Sequence, residues 1–362
     1  MRGTQQYVRN TNVLVTSFDT GDAAWEIVDF APRIPQGLTV HAPIEVVRLI
    51  RPLKGRPRLR VDFDPRPEYA RVQPTLVETA TGIEVLGAAA PLVLLTNLPV
   101  PYVLAKRDFA LDGPLWFSFT YGRPAEVPHL AQVQRDLDLT IAGWQRWSQT
   151  CALPLFQPTR VLRSALCLKL HASIDTGAVI AAATTGIPEV MGTPRCWDYR
   201  YCWLRDAAFV VEALRRLSHL QEGELFLRFV RNVAESGPLQ PLYGIDGRRD
   251  IEETELPHLA GFGGNGHVRV GNAAVHQRQN DLMGEVILCL HTLLLDPQNR
   301  GGRPPAVLPS DTSARRTGHR RRSHERHGDL GISHDHERAH LLASDVLGRD
   351  CTRGSIGKGT GP

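Results

Sequence analysis

CWDYRYCWLRDAAF, from Cys196 to Phe209, is the stretch on which the reading of this chain turns. Trp197, Tyr199, Tyr201 and Trp203 alternate as in an extended segment, and from Leu204 the spacing becomes that of a helix. That switch places Arg205 and Asp206 at a helix start, at the mouth of whatever a helical layer encloses. Aromatic faces beside a fixed cation and carboxylate suit a sugar. Rings stack on C–H faces, while the charged pair holds hydroxyls through charge-assisted hydrogen bonds. The same residues also fit an aromatic packing cluster with a capping aspartate, and on composition alone that plainer reading leads.

Downstream, LRDAAFVVEALRRL predicts a helix with Phe209, Val210, Ala213, Leu214 and Leu217 as its apolar stripe. DLMGEVILCLHTLLL predicts another. Upstream, AQVQRDLDLTIAGWQRW repeats Leu137, Ile141, Trp144 and Trp147 every three or four positions, the mark of a helix linking two domains over residues 126–150. Before it the period is two. In RLRVDFD, Leu59, Val61 and Phe63 alternate with Arg60 and Asp62, and LWFSFTY from Leu115 to Tyr121 reads as an aromatic-rich strand. The expectation is an antiparallel β-sandwich over residues 1–125 and a mainly helical domain over 151–298.

With 362 residues the chain exceeds one ordinary core, and 42% hydrophobic with 22% charged residues is a globular composition. No apolar run reaches a membrane span, and MRGTQQYVRN lacks the apolar segment of a secretory signal, so a cytoplasmic, membrane-free protein is expected. Six cysteines without a CxxC pair indicate neither a zinc knuckle nor a disulfide framework. The net charge of +4 owes much to one tract, RRTGHRRRSHERH. From Asn299 to the end, no aromatic residue and no period occur, so residues 299–362 read as a disordered tail. A nucleic-acid partner for it is not expected.

Longer blocks carry a resemblance. TGAVIAAATTGIPEVMGTPRCWDYRYCWLRDAAFVVEAL and PLYGIDGRRDIEETELPHLAGFGGNGHVRVGNAAVHQRQNDLMGEV resemble the signature blocks of glycoside hydrolase family 15, the glucoamylase and trehalase-like enzymes. NTNVLVTSFDT and RVDFDPRPEYARV resemble the trehalase-like N-terminal domain. The resemblance implies a β-sandwich in front of an (α/α)6 barrel, here incomplete. It implies inverting hydrolysis of an α-glucoside such as trehalose or a malto-oligosaccharide by two carboxyl groups, without cofactor or metal. Carried over by position, Arg205 and Asp206 grip the non-reducing glucose, and Asp198, Tyr199, Tyr201 and Trp203 shape its subsite.

Departures from the family pattern bear on activity. Cys196 stands where the family commonly has asparagine, and the family's opening block is absent. No catalytic residue is assigned: Glu252, Glu253 and Glu255 read as a solvated acidic loop, and Glu285 as a structural helix residue. His258, His267 and His276 are not spaced as a metal site. The block resembling GIWEYR, which brings the general acid, is missing in frame. Yet His327 to Ser333 can be encoded CAT GGG GAT CTG GGA ATA TCG, which shifted by one nucleotide reads Met-Gly-Ile-Trp-Glu-Tyr. The same shift can turn Leu341 to Gly348 into Phe-Ser-Gln-Ala-Met-Cys-Trp-Val, a second family motif in the right order. The chain thus reads as a truncated, frameshifted α-glucosidase relative that lacks its catalytic acid and base, with a non-catalytic sugar-binding remnant as the alternative.

Overall fold

The computed structural model describes residues 3–295 except 38, 123 and 125. The expected disordered tail and both out-of-frame motifs lie outside the described residues.

Eight strands build one antiparallel sheet: β1 (Thr4–Tyr7), β2 (Leu14–Asp19), β3 (Ala24–Phe30), β6 (Glu45–Lys54), β8 (Thr75–Glu78), β9 (Gly82–Leu86), β10 (Leu92–Thr96) and β12 (Leu115–Tyr121). Their order across the sheet is β1-β2-β3-β6-β12-β10-β9-β8. Two short pairs stand apart, β4 (Ile34–Gln36) with β5 (Thr39–His41) and β7 (Arg58–Leu59) with β11 (Phe109–Ala110). Side chains alternate across the sheet, so both faces are apolar. Val28, Val47, Leu49, Leu95 and Trp116 face one way, and Ile50, Leu94, Leu115 and Phe117 the other.

The second face is covered by Val100 and Val103 of the short helix α1 (Val100–Leu104), with Leu59, Val61 and Phe63 packed alongside. LWFSFTY is a strand over the expected span. RLRVDFD pairs only at Arg58–Leu59, although Leu59, Val61 and Phe63 keep their inward alternation. The segment runs into Pro65 and Pro67, which have no N–H to lend a ladder.

The first face carries α2 (Leu130–Gln149) and α3 (Pro158–His171) through Val133, Leu137, Trp144, Leu162 and Leu166. Polar contacts fix the docking: the Arg33 amide donates to Thr140 Oγ1 at 3.1 Å, and Asn12 Nδ2 to the Leu166 carbonyl at 2.9 Å. Behind α3 lie α4 (Leu204–Arg216), α5 (Gln221–Glu235) and α6 (Leu282–Leu295), around Val211, Phe226, Phe229, Val230 and Val286. An ion pair is buried between them, Lys169 of α3 with Glu222 of α5 at 2.6 Å. Beside it, His219 stacks on Trp147 at 4.0 Å and meets Cys151 Sγ at 3.0 Å.

The apolar stripe of α4 differs from the sequence expectation. Leu204, Ala207, Ala208, Val211 and Leu214 are buried, and Phe209 is 56% exposed. The partners of α4 approach from the side of the small residues, because Ala207 and Ala208 allow α5 and α6 to pack close. Among the described residues, no helix is long and apolar enough to cross a membrane.

Candidate sugar-binding site

Residues 195–201 run without regular structure, Cys202 and Trp203 form β13, and α4 begins at Leu204. The partner strand β14 (Leu242–Tyr243) pins β13 from beyond α5, with Cys202 opposite Tyr243 and Trp203 opposite Leu242. This fixes the direction in which α4 leaves and sets Arg205 and Asp206 in its first turn. There the unpaired backbone N–H groups favour a carboxylate.

The three expected aromatic residues come together. The Tyr199 and Trp203 rings lie 5.6 Å apart, and those of Tyr201 and Trp203 6.5 Å, over Leu242 and Ile251. The Tyr199 hydroxyl donates to Glu189, which Arg195 also holds at 2.5 Å. Burial first, then this bond to Glu189, pushes the Tyr199 phenol up to about 12. Tyr199 therefore stays a neutral donor across the physiological range.

Arg205 and Asp206 remain partly accessible, with 34% and 47% of their side chains exposed, and stand 3.8 Å apart. Arg205 Nη1 donates to Asp281 Oδ2 at 3.0 Å and to Gln279 Oε1 at 3.3 Å. The Arg205 hydrogen bond lowers the Asp281 carboxyl below its ordinary range. Asp281 and Gln279 escaped the sequence reading although they sit inside a quoted block. An acidic residue directly before an apolar helix was the available signal.

Asp198 occupies a different position from the other five. It is fully buried and accepts from Arg200 Nε at 2.9 Å, Arg200 Nη2 at 2.8 Å and the Gly271 amide at 3.3 Å. The Asn272 side chain donates to its carbonyl at 3.2 Å. Asp198 thus supports the run from below, and its bonds raise Arg200 above the ordinary guanidinium value. Gly271 is required there. Its φ is +80°, and a Cβ would lie 1.9 Å from the Glu252 carbonyl oxygen.

Three of the acids weighed from the sequence, Glu252, Glu253 and Glu255, have basic side chains beside them. Arg269, 8% exposed, lies over Trp197 at 4.7 Å and reaches Glu253 at 3.2 Å and Glu255 at 3.1 Å. His267 meets Glu255 at 3.3 Å, His276 meets Glu252 at 3.4 Å, and His258 binds the Tyr69 carbonyl at 2.8 Å. These three histidines sit at separate contacts. Arg269 was missed because one arginine between Val268 and Val270 reads as the outward residue of a strand. Cys196 is fully buried, and an amide does stand beside its thiol: Asn265 Nδ2 donates to Sγ at 3.4 Å.

Residues 157–310 match the family described as glycosyl hydrolases family 15, and residues 2–104 match the trehalase-like N-terminal domain. A trehalase of Thermoplasma acidophilum is 31% identical over 302 residues, covering 80% of this chain and 50% of that protein. Trehalase 1 of Sulfolobus acidocaldarius is 30% identical over 291 residues, covering 76% and 47%. A trehalase of Mycolicibacterium smegmatis is 38% identical over 177 residues, covering 47% and 26%. The chain spans about half the length, or less, of these relatives.

Proposed function

The chain belongs to glycosyl hydrolase family 15, and from that premise we propose that it binds the non-reducing glucose of an α-glucoside, with trehalose as the preferred ligand. Arg205 and Asp206 hold sugar hydroxyls, Tyr199 offers its face, the buried Trp203 and Tyr201 back it, and Asp198 sets the backbone beneath. The observation that carries this reading is a partly exposed Arg205–Asp206 couple in the first turn of α4, directly after the run that gathers Tyr199, Tyr201 and Trp203 into one cluster. The trehalase names of the relatives favour trehalose over a malto-oligosaccharide. In this reading the sheet is the family's N-terminal β-sandwich, and α3 to α6 are the opening helices of its (α/α)6 barrel.

Binding and hydrolysis separate in this proposal. Grip on a ground-state sugar leaves the glycosidic bond intact unless charge is stabilised in the transition state. Inversion needs one carboxyl group to protonate the leaving oxygen and another to activate water. Glu253 and Glu255 are occupied by Arg269, and a general-acid motif emerges only if the codons of His327 to Ser333 given above are decoded one nucleotide out of frame. The 362-residue chain is therefore proposed to be inactive, its catalytic half displaced by a frameshift between about residues 297 and 318.

Titration calorimetry with trehalose tests the binding. Arg205→Ala should weaken affinity by roughly 10- to 100-fold, the worth of hydrogen bonds to a charged group. Equal affinity would remove Arg205 from the site. A glucose-release assay on trehalose and maltose should stay at the blank, and the gene should carry the codons that decode Glu across Gly331 and Ile332 in the shifted frame. Turnover by the chain as it stands would overturn the inactive reading.

A further inference from the structure

The turn at Pro67–Ala70 projects from the sheet region toward the helices, and its backbone is unusual. Glu68, Tyr69 and Ala70 have φ of 51°, 58° and 61°, three successive non-glycine residues in the left-handed region. There each Cβ crowds the following carbonyl oxygen, so such a run persists only where its surroundings hold it. Local bonds hold part of it: the Arg71 amide and Nε each donate to the Glu68 carbonyl at 3.1 Å, the Ala70 amide donates to the Arg66 carbonyl at 3.4 Å, and Pro67 is buried.

The rest comes from the helical region, and all of it converges on Tyr69. A His258 ring nitrogen binds its carbonyl at 2.8 Å, 189 residues away in sequence. Arg200 Nη2 donates to the Tyr69 hydroxyl at 3.1 Å, 131 residues away. The Arg200 guanidinium also lies 5.1 Å from the ring centroid, a cation–π distance, with Arg71 at 5.7 Å.

Arg200 is no peripheral partner, because it sits between Tyr199 and Tyr201. Its guanidinium divides its hydrogens: Nε and one N–H of Nη2 go to the Asp198 carboxylate, and the other N–H of Nη2 goes to Tyr69. A planar fork bonded on two edges has a single orientation, and the backbone that carries it is fixed in turn. Asp198 anchors one edge from below, through Gly271 and Asn272. Tyr69 anchors the other from across the region boundary. The strained turn is thus held where its phenol orients the aromatic run.

We infer that Tyr69, supplied by the N-terminal sheet region, is a positioning residue of the sugar site: its phenol clamps Arg200 and thereby sets Tyr199, Tyr201 and Trp203. This rests on the sugar-site reading above. The N-terminal region is then a working part of the binding surface, and a chain without it binds sugar poorly even when its helices fold.

The full chain with Tyr69→Phe tests this, because the ring, its stacking and the carbonyl bond to His258 are kept and only the hydroxyl is lost. Trehalose affinity by calorimetry should fall about three- to tenfold, the worth of one hydrogen bond to a charged group in a part-exposed setting. The unfolding midpoint should move by no more than about 3 °C. Arg200→Lys should weaken binding as well, and the double variant should be no worse than the weaker single one, since both remove one contact. Unchanged affinity in Tyr69→Phe, or additive losses in the double variant, would overturn the inference. If the unaltered chain takes no trehalose, the sugar-site reading itself falls, and hydrogen exchange over residues 199–203 decides the clamp alone. Faster exchange in Tyr69→Phe upholds a positioning clamp, and unchanged exchange overturns it.

Discussion

The sheet region and the helical region bury their apolar residues in different ways. Each strand of the eight-stranded sheet has its ladder partners, and both faces are covered, one by α2 and α3 and one by α1 and the Leu59–Phe63 segment. The helices α4, α5 and α6 share one apolar cluster, while Phe209 and Ile287 point outward and the connection from Ser236 to Asp281 is tied by polar contacts. Those contacts centre on Asp198, Asn265 and Arg269. The lesson is a division of labour. The sheet region is stabilised by area, whereas the site beside it is shaped by a few directional bonds, which cost little area and fix orientation.

The largest test of that contrast lies where the regions meet. Lys169→Met leaves Glu222 as an uncompensated buried charge and should destabilise by about 3 to 5 kcal/mol in urea unfolding, whereas replacing both partners by apolar residues should recover most of the loss. A loss below about 1 kcal/mol would mean that water reaches the pair. Next comes the face of α4. Leu214→Ala, at a fully buried position, should cost about 2 to 5 kcal/mol. Phe209→Ala, a larger truncation, should change stability by less than about 1 kcal/mol because the ring is 56% exposed. Equal costs would restore the stripe expected from sequence.

The smallest effect is a pH dependence. Burial lowers His219 below its ordinary value, against the opposing pull of Glu222. The unfolded chain therefore binds a proton that the folded one refuses. This contribution is complete above about pH 6.5 and is lost as the pH falls toward the folded value. Burial pushes the Glu222 carboxyl up, but the Lys169 ammonium and its hydrogen bond outweigh that and leave Glu222 lowered. Its contribution is present above about pH 4.3 and goes at more acid pH. Urea midpoints measured against pH should decline in two stages, and His219→Phe should abolish the upper one. A single stage in the unaltered protein would contradict the assignment.

Much of this was legible in advance. LWFSFTY, the helix around Leu137 and Trp144, and the switch into α4 at Leu204 follow from local period alone, and the structure bears them out. The α4 stripe was misjudged because Phe209 outweighs Ala207 and Ala208 in apolar count, whereas close approach selects the small residues. Within the site, the aromatic cluster and the Arg205–Asp206 pair could be named. The contacts that set them, Tyr69 to Arg200, Asp281 to Arg205 and Arg269 to Glu253, join residues 16 to 131 positions apart. No local period encodes such distances. The partners of Asp198 are hidden for a related reason: a carboxylate two residues before an arginine can face a ligand or its neighbour, and the structure turns it to Arg200 and the Gly271 amide.

The order of strands has a further consequence, for self-association. Among the described residues the sheet does not close on itself, and β1 and β8 each have one edge without a ladder partner. A bare edge invites pairing with another molecule's edge, and proteins discourage it by keeping the edge short and polar. Both edges here are four residues long, TQQY and TLVE. Every residue of β1 is exposed, and β8 ends in Glu78, so a docking strand would gain few ladder bonds and little apolar contact. Brevity at the margins keeps a wide open sheet from becoming a template for fibrils.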